Sequence, residues 1–197
     1  MQQENFSPQD SLRVIQSMLE KSKQDMRGND VYFLMWGWLS FIAIIGQFIL
    51  KVMIGFQYHY LIWLITIVGM ALSVIYTIRQ KKQRKVSSYI GESMGYLWTG
   101  IGISFSVLSI IISTSIGWLH AWPFFILFYG LGTFISGKFI HFKPLVIGGI
   151  VCWILSCVAV FVPYDYQLLI AALAILCSYI IPGYLLKSEK ITTAYGR

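Results

Sequence analysis

Six stretches of this chain consist almost entirely of apolar side chains. They cover residues 31–50, 60–78, 90–112, 121–137, 145–162 and 167–186, and short polar connections separate them. Glu92, near the start of the third, is the only Asp, Glu, Lys or Arg inside any of them. A bilayer core about 30 Å thick is crossed by about 20 apolar residues in a helix. Within lipid a helix satisfies its own backbone, and runs this long and continuous do not suit barrel strands. The pattern predicts an all-α fold, an integral membrane bundle of six transmembrane helices spanning residues 31–186.

Residues 1–30 follow a different rhythm. Ser7-Pro8-Gln9-Asp10 offers a capping serine, a proline at the first helical position and an acid three residues after the cap, and Arg27-Gly28-Asn29 offers a stop. Between them Leu12, Ile15, Met18, Leu19 and Met26 fall within about 120° of one another at about 100° per residue. Arg13, Ser17, Glu20, Lys21 and Gln24 lie opposite. The expectation is an amphipathic helix over 8–27 in a polar arm, followed by the bundle and a polar tail at 187–197. The arm lacks the early apolar core of a secretory signal, so the first span is expected to remain as an anchor.

Composition sharpens this. Hydrophobic residues make up 57% of the 197 and charged residues 12%, against about 45–50% and about 25% in soluble domains. That excludes a soluble globular domain, a disordered tail and a disulfide scaffold. The net charge of +7 could suggest nucleic acid, but its placement does not. Fourteen of the fifteen Lys and Arg residues fall in the arm, the second and fourth connections and the tail, and Lys51 stands alone on the other side. The positive-inside rule then puts both termini in the cytosol. The basic run from Arg79 to Lys85 serves this topology and loose contact with anionic lipid. Acids near helix starts (Asp30, Glu92, Asp165) and bases near helix ends (Lys51, Arg79, Lys138, Lys187) suit the macrodipole. Pro182-Gly183 is expected to mark the last turn of the sixth span.

Membrane helices associate through close packing and hydrogen bonds, so faces of small residues predict contacts. On the third span Gly91, Gly95, Thr99, Gly102, Ser106, Ser109 and Ser113 recur every three or four residues, close to the helical period of about 3.6. This predicts a span that is central in the bundle or lies at a subunit interface. Shorter stripes occur on the second span (Thr66, Gly69, Ser73, Thr77), the fifth (Gly148, Cys152, Ser156, Ala159) and the sixth (Ala171, Ala174, Ser178).

Few residues suggest chemistry. Glu92 reads as a helix-dipole partner, with a gate at the cytosolic mouth as the sharper reading. His59 and His120 both sit at outer helix ends and could start a metal site with Asp165 as third ligand. Gln47 is the strongest polar group within a span. Cys152, Cys157 and Cys177 lie in apolar runs and read as small packing residues. No zinc-protease pair, phosphate loop or nucleophile elbow occurs, so no catalytic, cofactor or metal residue is assigned. The arm carries four bases and five acids, unlike the Lys- and Arg-rich helices that lie on membranes. Its apolar face (Leu12, Ile15, Met18, Leu19, Met26) is therefore expected to meet its own bundle, a protein partner or a second copy.

The arm followed by Phe33-Leu34-Met35-Trp36-Gly37-Trp38-Leu39 resembles a group of small uncharacterised bacterial membrane proteins with a polar N-terminal helix and a first span opening on W-G-W. The resemblance implies a location in the bacterial inner membrane and transfers no site residues. The expected function is non-catalytic, regulatory or scaffolding. A small transporter or channel for a neutral or apolar solute is the alternative, and a lipid-modifying enzyme the third reading.

Overall fold

The computed structural model describes residues 30–83 and 89–195. The helix expected over 8–27, with Leu12, Ile15, Met18, Leu19 and Met26, lies outside the described residues. Every regular element among those described is helical. Helix α1 (Asp30–Phe48) runs on into a π turn (Ile49–Met53), and α2 (Ile65–Gln83) is entered through a 3-10 turn (His59–Leu64). Helix α3 (Tyr89–Ile111) also runs into a π turn (Ile112–Ile116), and α4 (Ala121–Phe139) is entered through the 3-10 turn Trp118–His120. The short α5 (Lys143–Ala159) follows. The last segment is continuous: α6 (Tyr164–Ile175), a π turn (Leu176–Ile180) and α7 (Ile181–Tyr195).

The first two hairpins share one plan of helix, π turn, glycine, 3-10 turn and helix. The glycines, Gly55 at φ +71° and Gly117 at φ +80°, adopt the positive φ that ends a helix cheaply only without a Cβ. In the second hairpin the Gly117 amide donates to the Ile112 carbonyl at 2.8 Å, which closes the π turn.

Among the described residues, five helical segments are long and apolar enough to cross a membrane: Val31–Met53, His59–Arg79, Gly91–Ser115, Trp118–Phe139 and Tyr164–Glu189. The sixth, α5, is apolar but has 17 residues, about 26 Å at about 1.5 Å per residue. It stops at Ala159 rather than 162 because Pro163 disfavours helical geometry just before it and serves instead as the cap of α6.

Pro182-Gly183 ends nothing. Helix α7 carries on to Tyr195. Pro182 is fully buried, and the π turn directly before it loosens the backbone ladder where the proline supplies no N–H. Gly183 has a packing role, since a Cβ there would lie 3.0 Å from Leu34 Cδ2.

The core is made by α1, α4, α5 and the α6–α7 segment. Phe33, Ile44, Ile126, Leu145, Cys152, Leu168, Ile175 and Tyr179 are all buried in it. Three of the four small-residue stripes pack inward. On α2, Gly69 meets Leu39, Ser73 accepts a hydrogen bond from Trp36 Nε1 at 3.0 Å, and Thr77 Oγ1 is 2.8 Å from the Tyr32 hydroxyl. On α5, Gly148 lies so close to the π turn that a Cβ would come within 2.8 Å of the Cys177 carbonyl oxygen and the Ser178 Cα. Cys152 Sγ donates to the Ala174 carbonyl at 3.6 Å.

The stripe on α3 faces the other way, so the expectation of a central third span is corrected. Gly91, Gly95, Thr99, Gly102, Ser106 and Ser113 are exposed, and Ser109 is half-buried. A Cβ at Gly91, Gly95 or Gly102 would meet nothing within 4 Å. The large side chains face inward instead: Met94, Ile101 and Ile112 are buried, and Phe105 lies 5.0 Å from the Tyr129 ring and 5.5 Å from that of Phe125. Lipid tails do not sort large side chains from small, so shape decides, and the aromatic interlock with α4 wins. The hydroxyls need no partner in lipid because they bond their own helix. Thr99, Ser104, Ser106 and Ser109 donate to the carbonyls four residues back at 2.8–3.0 Å.

Candidate functional site

Among the described residues the densest polar constellation joins three elements at one end of the bundle. Gln47 on α1 is buried, with 4% exposure. Trp63, in the turn entering α2, donates its Nε1–H to Gln47 Oε1 at 2.6 Å. Indole can only donate, so the amide oxygen must face Trp63 and the amide nitrogen must face away from it. Gln47 Nε2 therefore points at His59 Nδ1, 3.3 Å away. Both pairs sit at helical spacing: Gln47 and Lys51 are four residues apart, as are His59 and Trp63. Beside them Lys51 Nζ bonds Asp165 Oδ1 at 2.5 Å, and it lies 3.9 Å from the centroid of the Tyr164 ring. Trp63 also packs on Trp122 at 5.8 Å.

His59, His120 and Asp165, which could have started a metal site, are not brought together as one. His120 is exposed in its own short turn, Asp165 is committed to Lys51, and His59 is committed to Gln47. No group of three or more His, Cys, Asp or Glu residues able to hold a metal occurs among the described residues. The arrangement holds its groups by hydrogen bonding and charge pairing. The two i, i+4 pairs flanking the first connection are a sequence signal for Lys51 and Trp63, and the cluster of aromatic residues at the same helix ends is one for Trp63 and Tyr164.

Glu92 lies in the first turn of α3 and accepts a hydrogen bond from the Tyr96 hydroxyl at 3.0 Å. Both residues are exposed on the outer side of α3. Glu92 does not line an interior, so its position does not suit a gate through this bundle. The cysteines are free; Cys152 is buried, Cys177 half-buried and Cys157 exposed.

A second polar group lies inside the bundle, in the π turn between α6 and α7. The Tyr179 ring is surrounded by Phe33, Trp98 and Tyr129 at 5.7–5.8 Å. Its hydroxyl is buried, near the Thr133 side chain but without a well-formed hydrogen bond to it. A buried hydroxyl without a well-formed bond is costly to hold. Tyr179→Phe is therefore expected to raise stability by about 1 kcal/mol, measured as a shift in the detergent unfolding midpoint. A loss of stability would mean that the bond to Thr133 is formed.

Comparison with protein-family models, with curated proteins and with solved structures finds no match to this chain, so the functional reading rests on the arrangement of its own residues.

Proposed function

We propose that this protein is a non-catalytic integral membrane component, regulatory or scaffolding, that holds a neighbouring protein. It crosses the bacterial inner membrane six times with both ends in the cytosol. The arm helix over 8–27 and the outward face of α3 are its contact surfaces. The observation that carries this reading is the inversion of α3. It turns large side chains into the bundle and presents glycines and hydroxyls outward, where a second helix can approach closely. The interior supports a holding role rather than a conducting one, because α4 meets α5 and α5 meets the π turn backbone to backbone.

Two contacts support the six crossings. Lys51 at the end of α1 bonds Asp165 at the start of α6, and Trp63 at the start of α2 stacks on Trp122 at the start of α4. Helices α2, α4 and α6 thus begin on the face where α1 ends, and α5 must carry the chain back from the end of α4. The Lys51–Asp165 pair also leaves the one outer cation matched by an anion, in keeping with the positive-inside rule. The pair is partly exposed and contributes little to stability.

Crosslinking in intact membranes from Gln16 and from Ser106 tests the proposal. The expected result is capture of the same protein from both positions. Gly95→Leu and Gly102→Leu should leave the bundle folded, since nothing stands within 4 Å of either position, and should abolish capture from Ser106. Solute uptake by liposomes holding the purified protein alone would overturn the proposal in favour of transport.

A further inference from the structure

We propose that His59 makes the outer end of the bundle an acid-sensitive latch, locking α2 to α1 when the imidazole is neutral and releasing it when protonated. The argument starts from Gln47, which is buried and has no freedom to turn its amide over. Trp63 offers only a donor and fixes Gln47 Oε1 at 2.6 Å. The amide N–H then has to be received by His59 Nδ1. That nitrogen must carry a lone pair, so the imidazole must be neutral with its proton on Nε2. A proton on Nδ1 would set an N–H against an N–H at 3.3 Å, and the bond would be lost.

The charged groups acting on His59 are Lys51, from the π turn that ends α1, and Asp165, from the first turn of α6. Asp165 Oδ1 is already bonded to Lys51, so a new imidazolium would share that carboxylate with an existing cation. The Tyr60 ring stands edge-on to His59 at 6.0 Å. A charged His59 therefore loses the Gln47 bond, lies near an existing cation and has no carboxylate to itself.

What it releases is also defined. Helix α2 is the least buried of the candidate spans. At this end its ties to α1 and α4 are the Gln47 bonds, the Ile62 side chain against Gly46 and the Trp63–Trp122 stack. Farther along, Ser73 and Thr77 keep their bonds to Trp36 and Tyr32. Protonation would loosen the outer end of α2 while its other end stays attached. The latch follows from the fold alone and works whichever face is cytosolic, so it does not depend on the proposed partner.

Hydrogen exchange of residues 59–64 tests it, with the full chain in nanodiscs at about pH 7.5 and about pH 5, the interval in which imidazole changes charge. Rates are corrected for the intrinsic effect of pH. Protection in the 3-10 turn is expected to fall about tenfold on acidification, the effect of one lost hydrogen bond of ordinary strength. His59→Gln keeps an acceptor for Gln47 and cannot titrate, so its protection should be the same at both values. Asp165→Asn should still lose protection on acidification. Protection that does not change with pH in the unaltered chain would overturn the latch. So would a fall in His59→Gln equal to that of the unaltered chain, or a pH response abolished by Asp165→Asn alone.

Discussion

Gly149→Leu is expected to prevent the bundle from forming, while the same change at Gly102 leaves it intact. On α5, a Cβ at Gly149 would stand 2.8 Å from the Gly130 carbonyl oxygen and 2.8 Å from the Phe134 amide nitrogen on α4. The reverse contact is as tight, since a Cβ at Gly130 would stand 2.9 Å from the Gly149 carbonyl oxygen. Farther along, Gly137 faces the Val146 amide nitrogen at 2.7 Å on the same measure. The obstacle is backbone in each case, with no flexible side-chain end to swing aside. A leucine must push the two helices apart and strip contact from the whole seam. Overpacking a core costs about 1–3 kcal/mol where side chains can shift, and this site should exceed about 3 kcal/mol because they cannot. Unfolding in mixed micelles, followed by helicity and by tryptophan emission, checks it. A Gly149→Leu protein with an unchanged midpoint would show that the α4–α5 seam is not closed as described.

The second large effect is expected from Gln47→Leu. The side chain is similar in size, so the change leaves no void, but it removes the acceptor for Trp63 and the donor to His59 together. The Trp63 N–H is then half-buried without a partner, and the expected loss is about 1–3 kcal/mol. Adding Trp63→Phe to Gln47→Leu removes the stranded donor. The double variant should therefore lose less than the sum of the single changes, as coupled neighbours do. Strict additivity would mean that the Gln47–Trp63 bond contributes nothing.

The two variants test contacts of different legibility. Gly148, Cys152, Ser156 and Ala159 stood out as a stripe, and so did Ala171, Ala174 and Ser178; both pack inward, as small faces in a membrane should. The same rule applied to α3 allowed Gly95 and Gly102 either a central place in the bundle or a subunit interface, and they face outward from this bundle. The rule says that small residues permit close approach. It does not say that a neighbour stands there, and on α3 the rings of Trp98 and Phe105 offered α4 a better-shaped surface. Pro182 misled for a related reason: a proline forbids one hydrogen bond, and a π turn ahead of it lets a long helix continue. At the candidate site Gln47 was visible as a polar residue in an apolar run and His59 as a residue at a helix end. Their pairing was not visible, because residues 12 positions apart meet only once the hairpin has closed.

Apolar run length and the absence of charge within those runs were enough to determine a helical, membrane-compatible chain with short connections. These are local consequences of burying backbone in oil, where each segment must satisfy its own hydrogen bonds. Which faces touch was decided only by the tertiary structure. In lipid no general force draws apolar residues inward, so helix rotation is set by the fit of particular surfaces. The Gly130–Gly149 contact, the rings around Tyr179 and the Gln47 clamp exist only when all their elements are in place.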